Sequence, residues 1–190
     1  GLPVDALHLD ATRAAAEVEP LCQLLKPEMI LSLGVVDGRN LWRNPFDASA
    51  RLLKHACRTL GRERVWVAPS CSLLHVPVSL RHETKLDPEL RSWLAFAEEK
   101  LGEVVTLSRL GTPLEDPAAL EANRAAIASR RESPRIHREA VRQRAAAVQP
   151  DDSRRRSPFP ERRKARQGAL PLPVFPTTTI GSLPPTPEVR

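Results

Sequence analysis

The 190-residue chain has no tyrosine, one methionine, three cysteines and only 4% aromatic residues. No apolar run approaches the ~20 residues that a membrane-spanning helix needs. Cys22, Cys57 and Cys71 form an odd and widely spaced set, which favours reduced thiols over a disulfide framework. We therefore expect neither a membrane-spanning protein nor a disulfide-rich secreted domain.

Two reactive motifs are also missing. Ser70, Ser72 and His75 lie close together in the sequence, but no Gly-x-Ser-x-Gly elbow surrounds them, which argues against a serine hydrolase. Cys71 and His75 lack the repeated short spacing of zinc ligands. We expect no catalytic residue and no metal ligand within this chain.

Positive charge is concentrated in one segment. Residues 124–166 carry fourteen Arg or Lys against five Asp or Glu, a net charge of +9, whereas the whole chain carries +6. Arg154–Arg156 and Arg162–Lys164 could neutralise nucleic-acid phosphates. The same charge would also suit a solvated helix face, or attraction to a polyanionic substrate tail. Because only Phe159 is interleaved among these residues, the solvated face is favoured.

The first 112 residues contain three strand–helix repeats. Apolar runs at 2–10, 29–36 and 65–68 are typical of buried parallel strands, and a helical pattern follows each one. The second helix is predicted to have Asp47 as its N-cap and to end at Gly61. The third is predicted as one long helix from Asp87 to Gly111, with Leu101 and Val105 on its buried face. This alternation predicts a parallel α/β architecture.

Polar residues follow the predicted strands. They are His8 and Asp10, then Asp37–Asn40, then Ser70–His75. Sites in parallel α/β folds gather at the carboxyl ends of strands. The pattern fits a ligand pocket and fits simple capping of helices and loops equally well.

The end of the chain differs from the rest. Residues 113–168 are rich in Ala and Arg, and predict helices at 117–131 and 135–148. Prolines then exclude a helix, and residues 174–180 are rich in β-branched residues, as a strand would be. The N–H groups around Ser182 could hold the polar end of an amino acid, although a plain Pro-rich tail with a turn fits the spacing too.

Several motifs resemble cobalamin-independent methionine synthase. The run TTTIGS at 177–182 is similar to the opening of that family's catalytic half. Further matches occur in the family's order, namely LSLG at 31–34, DGRN at 37–40, WVAPSCSLLH at 66–75, KLDPEL at 85–90 and WLAFA at 93–97. Leu183 and Pro185 depart from the family pattern, which has an aromatic residue and a glutamine there.

The resemblance implies an internal fragment of an enzyme built of two (β/α)8 TIM barrels. Residues 1–112 would be the last βα units of the N-terminal barrel, residues 113–169 a basic helical linker, and residues 170–190 the start of the C-terminal catalytic barrel. The fold class implied is therefore α/β, with a partial barrel, a linker and the first strand of a second barrel.

The resemblance also implies a function. Family members are zinc-dependent, cobalamin-free cytoplasmic enzymes that move a methyl group from 5-methyltetrahydropteroyl-triglutamate to homocysteine and so make methionine. Ile180, Gly181 and Ser182 would bind homocysteine or methionine, while the zinc ligands would lie beyond Arg190, so we expect the chain alone to be inactive. The alternative is a non-catalytic scaffold whose Arg-rich segment binds polyanions such as nucleic acid.

Overall fold

The computed structural model describes residues 3–176. By their contacts, these residues belong to two compact units that divide between His137 and Arg138. The first unit contains the sheet, and the second is helical. No helix in the described part of the chain is long and apolar enough to cross a membrane.

Three parallel strands form the sheet. They are β1 (Ala6–Asp10), β2 (Ile30–Val36) and β3 (Val65–Pro69), hydrogen-bonded in the order β1-β2-β3. The predicted parallel α/β architecture is thereby confirmed for the first unit. Closure of these strands into a barrel stays a prediction.

The strands are connected and followed by helices. In the first unit these are α1 (Val18–Leu24), α2 (Phe46–Leu60), α3 (Pro88–Trp93), α4 (Ala97–Ser108) and α5 (Pro117–Glu132). Short 3-10 helices span Ala15–Glu17, Arg62–Arg64, Leu73–His75 and Leu80–His82. The second unit has α6 (Glu139–Ala146), a 3-10 helix at Pro150–Ser153, and α7 (Phe159–Ala169).

One face of the sheet carries the hydrophobic core. Leu31 and Leu33 of β2 are fully buried and cluster with residues of α1, α2 and α4. Successive residues of a strand point to opposite faces, so His8, Ser32 and Trp66, which the register aligns across the three strands, share the other face. On that face the Trp66 residue is 54% exposed. Among the described residues, the packed layer of helices therefore covers one side of the sheet.

Helix α2 is the main layer over the core. Its buried residues include Phe46, Leu53 and Leu60, and it ends at Gly61, whose φ of +90° suits glycine. The predicted N-cap at Asp47 is wrong, because the helix begins one residue earlier, at Phe46. Asp47 lies in the first turn instead and accepts a hydrogen bond of 3.0 Å from the Arg124 guanidinium.

The predicted long third helix is also wrong, because it is interrupted by an extended segment at residues 94–96. The Ala95 N–H donates to the Leu41 carbonyl at 2.8 Å, and the Arg43 N–H donates to the Trp93 carbonyl at 2.8 Å. These backbone hydrogen bonds replace the hydrogen bonds that the segment would make within a continuous helix.

The interruption also rotates the buried face of α4. Leu101 and Val105 are 54% and 45% exposed, contrary to the prediction, whereas Lys100 and Glu103 are buried. A helix restarted after a break need not continue the apolar stripe of the preceding one.

Buried polar groups hold the loop after β2 against α4 and α5. Lys100 Nζ donates to the Trp42 carbonyl at 3.1 Å, and Glu103 Oε1 accepts from the Asn44 N–H at 2.9 Å. Asn123 of α5 accepts from the Phe46 N–H and donates to the Asn44 carbonyl. Burial raises the pKa of Glu103 and lowers the pKa of Lys100, because both charged forms lose hydration.

Helix α5 belongs to the first compact unit, although it comes from the segment that the sequence predicts as linker. The predicted boundaries at residues 112 and 169 refer to two barrels and stay predictions. In the second unit, α7 was not predicted as a helix. Its Pro160 occupies the first turn, where proline removes no helical hydrogen bond.

Candidate functional site

The polar residues that the sequence placed at strand exits lie at one edge of the sheet. His8 and Asp10 are in β1, Asp37–Asn40 follow β2, and Ser70 follows β3. Because the strands are parallel, their carboxyl ends share this edge. We call this group of residues, together with Ser32, the strand-end cluster.

His8 connects all three strands. Its Nδ1 lies 3.0 Å from Ser32 Oγ, and its Nε2 lies 3.2 Å from the Ser70 carbonyl oxygen. The carbonyl can only accept, so Nε2 carries a proton and donates it. In the neutral ring Nδ1 then accepts from the Ser32 hydroxyl. The two contacts orient the imidazole on the sheet face away from the helices.

Gly34 makes room for this arrangement. A Cβ at residue 34 would stand 2.8 Å from the Ser70 Cα and 3.0 Å from the His8 ring carbon Cε1. Both distances are shorter than carbon atoms tolerate without displacement. The glycine therefore permits β3 and the imidazole to approach β2 closely.

Asp10 and Arg39 form an ion pair of 2.9 Å across the exits of β1 and β2. The same carboxylate accepts from the Thr12 hydroxyl at 2.6 Å. Burial alone would raise the pKa of Asp10, but the hydrogen bonds from Thr12 and Arg39 outweigh it and hold that pKa below its ordinary value. The aspartate is thus kept ionised and fixed in orientation.

The turn after β2 is held by β3. The Gly38 N–H donates to the buried Ser70 hydroxyl at 3.1 Å, and Asp37 accepts from the Arg39 N–H at 2.8 Å and from the Asn40 amide at 2.6 Å. A Cβ at Gly38 would meet the Cys71 carbonyl oxygen at 2.9 Å. These contacts within the protein fix the positions of the strand-end cluster.

Of the remaining predicted exit residues, Cys71 lies against Gly38 of the cluster, whereas Ser72 has a capping role. Ser72 caps the short helix Leu73–His75 by accepting from the Leu74 N–H at 3.3 Å, so capping explains this part of the predicted group. Within residues 3–176, no group of three or more His, Cys, Asp or Glu side chains is arranged to hold a metal ion.

Ile180, Gly181 and Ser182, the residues predicted to bind the amino acid, lie outside the described residues. Their role stays a prediction. Ser32, in contrast, is a site residue that the sequence patterns did not indicate. The sequence feature that could have indicated Ser32 is its hydroxyl group, which stands alone in the apolar run from Met29 to Val36.

Parallel βα units whose polar side chains gather at the strand ends define a protein of the parallel α/β class. Comparison with known proteins narrows the class to a family. Residues 1–60 match the family model described as "Cobalamin-independent synthase, N-terminal domain". The chain belongs to the cobalamin-independent methionine synthase family.

Three relatives illustrate the similarity, and each bears the name 5-methyltetrahydropteroyltriglutamate–homocysteine methyltransferase. The protein from Acidithiobacillus ferrooxidans is 52% identical over 191 residues, that from Nitratidesulfovibrio vulgaris 50% over 197, and that from Xylella fastidiosa 46% over 190. Each alignment covers 100% of this chain. The chain spans about a quarter of the length of these relatives, 24% to 25%.

Proposed function

We propose that the chain serves as part of a zinc-dependent, cobalamin-independent methyltransferase of methionine biosynthesis. The whole enzyme would move a methyl group from 5-methyltetrahydropteroyl-triglutamate to homocysteine in the cytoplasm. The observation that carries the proposal is the 46% to 52% identity to named methyltransferases along the full length of the chain.

The half-covered sheet supports the fold part of the proposal. Among the described residues β1 and β3 each have only one neighbouring strand, and the face bearing His8 and Trp66 carries no helical layer. In a (β/α)8 barrel that face is the interior, and both edges pair with further strands. Residues 1–112 would then be the closing βα units of the N-terminal barrel, residues 113–169 a linker, and residues 170–190 the start of the catalytic barrel.

The roles proposed for this chain are binding and positioning. Ile180, Gly181 and Ser182 would hold homocysteine or methionine by backbone groups and a hydroxyl. The strand-end cluster would present ordered polar groups toward the rest of the enzyme, at the edge where such folds place their sites. Zinc, held by residues outside the described ones, would bind the substrate sulfur as a thiolate.

The free cysteines fit a reducing compartment. Cys22, Cys57 and Cys71 are all unpaired in the structure. Burial raises the pKa of the Cys22 and Cys57 thiols, which keeps them protonated and poorly reactive.

A segment exchange tests the proposal. The matching 191-residue segment of the Acidithiobacillus ferrooxidans relative is replaced by this chain, and methionine formation is assayed with zinc, homocysteine and the methylated triglutamate folate. We expect the chimera to be active and the 190-residue chain alone to form no methionine. The control is the same relative with its own segment excised and reinserted.

Two results would overturn the proposal. One is a chimera that folds, by circular dichroism and thermal melting, yet makes no methionine while the reinserted control does. The other is methionine formation by the isolated chain. Either result would show that the chain is not a binding and positioning segment of such an enzyme.

A further inference from the structure

A small cavity lies beside the exit of β2, in the first unit. Its volume is about 150 Å3, and its lining includes Asp37, Asn40, Trp42, Arg43 and Arg130. At roughly 30 Å3 per liquid water, that is room for a small polar group. Helix α5 contributes Arg130, and the loop that follows β2 contributes the other four residues.

Two arginine Nε atoms in this lining have no hydrogen-bond partner among the described residues. Arg43 Nε and Arg130 Nε are both buried, and neither makes a hydrogen bond within the described residues. Neither side chain takes part in an ion pair there, whereas Arg39, Arg124 and Arg135 all do. Buried N–H groups are nearly always hydrogen-bonded in folded proteins, so two of them on one cavity point to a ligand.

Trp42 positions one of the two groups. The Arg130 guanidinium carbon lies 3.6 Å from the centre of a Trp42 ring, a cation–π contact. All N–H bonds of a guanidinium lie in its plane, so stacking on a ring leaves them free to donate sideways. Such a fork suits the two oxygens of a carboxylate.

The charges around the cavity favour a single negative charge in the ligand. Arg43 and Arg130 supply two positive charges, and Asp37 supplies one negative charge. Lys100 and Glu103 pack next to this loop through the Trp42 carbonyl and the Asn44 N–H and offset one another. The lining therefore carries one net positive charge, which a monoanion neutralises and a phosphate dianion exceeds.

We propose that this cavity binds the carboxylate of a small organic acid, with Arg43 and Arg130 as the donors. The site consists of other residues than the predicted Ile180–Ser182 segment and does not depend on methyl transfer. A lack of acetate binding would therefore leave the proposed methyltransferase role intact, and a failed segment exchange would leave this site intact.

The test is an NMR titration of the 15N-labelled 190-residue chain with sodium acetate. Sodium chloride keeps the ionic strength constant, and inorganic phosphate is titrated in parallel. We expect the Nε–H signals of Arg43 and Arg130, assigned by their loss in Arg→Lys variants, to shift in a saturable way with acetate. Phosphate should bind more weakly.

Variants on one helix provide the matched control. Arg130→Lys keeps the charge but loses Nε and the planar fork, so acetate should bind about tenfold or more weakly. Arg124→Lys, on the same helix but paired with Asp47, should leave the affinity unchanged. If Arg130→Lys fails to fold by circular dichroism, Arg43→Lys takes its place.

Three results contradict the assignment. They are the absence of saturable Nε–H shifts in the wild-type chain, an equal loss of affinity in Arg124→Lys, and tighter binding of phosphate than of acetate. Saturable acetate binding at constant ionic strength that depends on Arg43 and Arg130 supports it.

Discussion

At the scale of single residues, Gly34 controls how closely β3 and His8 approach β2. Replacing it by alanine puts a Cβ 2.8 Å from the Ser70 Cα, a backbone atom that cannot rotate away. We expect Gly34→Ala to lower the free energy of unfolding by about 1–3 kcal/mol, the usual range for overpacking. Urea denaturation of the 190-residue chain measures this.

Gly102 is the matched control for that substitution. It lies inside α4, where a Cβ added to it would have no atom within 4 Å outside its own helical turn. Gly102→Ala should raise the free energy of unfolding by about 0.5–1 kcal/mol, because alanine favours helix. Equal effects of the two substitutions would mean that the contact between β2 and β3 at Gly34 is not tight.

The contact between Asp87 and Arg135 predicts a defined pH dependence of the free energy of unfolding. Hydrogen bonds from Arg135 lower the pKa of Asp87 to about 2, below the value of about 4 that it has in an unfolded chain. The unfolded state therefore takes up the proton first, and this part of the stability is lost as the pH falls from about 4 to about 2. Above about pH 4 the contribution of Asp87 to stability is fully present.

Asp87→Asn isolates this contribution, since asparagine still caps α3. The urea midpoint of the wild-type chain should exceed that of Asp87→Asn at about pH 6, and the difference should shrink toward zero near pH 2. Asp116→Asn is the control, because Asp116 caps α5 through the Ala119 N–H and has no arginine partner among residues 3–176. A difference independent of pH would contradict the ion-pair explanation.

Residue types predicted the strand-end cluster only in part. His8, Asp10, Asp37 and Ser70 are polar residues at the ends of apolar runs, and the structure brings them to one edge. Ser32 and Gly34 were missed because each lies inside a strand, and their contacts exist only through the register of β1 and β3 against β2. Register depends on pairing between distant segments, which local patterns do not contain.

At the scale of elements, the junction between α3 and α4 depends on Glu99. Its carboxylate accepts from the Phe96 N–H, the Leu80 N–H and the Ser79 hydroxyl at 3.1–3.2 Å. Glu99→Ala leaves three donors without their acceptor, and we expect the free energy of unfolding to fall by about 2 kcal/mol. Chemical denaturation followed by circular dichroism measures the change.

Glu98 tests whether charge alone explains that effect. It is the neighbouring residue, and its contact is an exposed ion pair with Arg81. Glu98→Ala should cost less than about 1 kcal/mol. A loss as large as that of Glu99→Ala would show that the restart of α4 does not depend on the Glu99 contacts.

The same junction shows why element boundaries were harder to predict than element types. Asp87 and Pro88 correctly predicted the start of α3, because capping is a local effect. The break at residues 94–96 depends on backbone bonds to Leu41 and Arg43, which lie far earlier in the chain. The helix propensity of residues 88–108 depends on those residues alone, so it cannot indicate the bonds to Leu41 and Arg43.

At the scale of the whole molecule, the open face of the sheet is what connects structure and proposed function. Within residues 3–176, three strands with helices on one side leave Trp66 exposed on the other, next to an edge of β3 that pairs with no further strand there. An exposed edge with a large apolar side chain promotes association between chains. The repeat pattern of the sequence predicted this deficit, since three βα units cannot close a barrel of eight.

Trp66→Lys should therefore act in opposite directions in two settings. In the isolated chain, the lysine is solvated and should reduce concentration-dependent association, measured by light scattering. In the active chimera with the Acidithiobacillus ferrooxidans relative, the same face would be a barrel interior, where burying an ammonium group costs several kcal/mol. There it should lower the melting temperature and abolish methionine formation.

Leu74→Lys is the control for both settings, because Leu74 is 84% exposed in the short 3-10 helix after β3 and is not part of the sheet. It should change neither association nor the stability of the chimera. If Trp66→Lys leaves the chimera as stable and active as its parent, the face bearing His8, Ser32 and Trp66 is not enclosed, and the three strands do not form part of a closed barrel. A loss of stability confined to Trp66→Lys would instead place this face inside the larger enzyme.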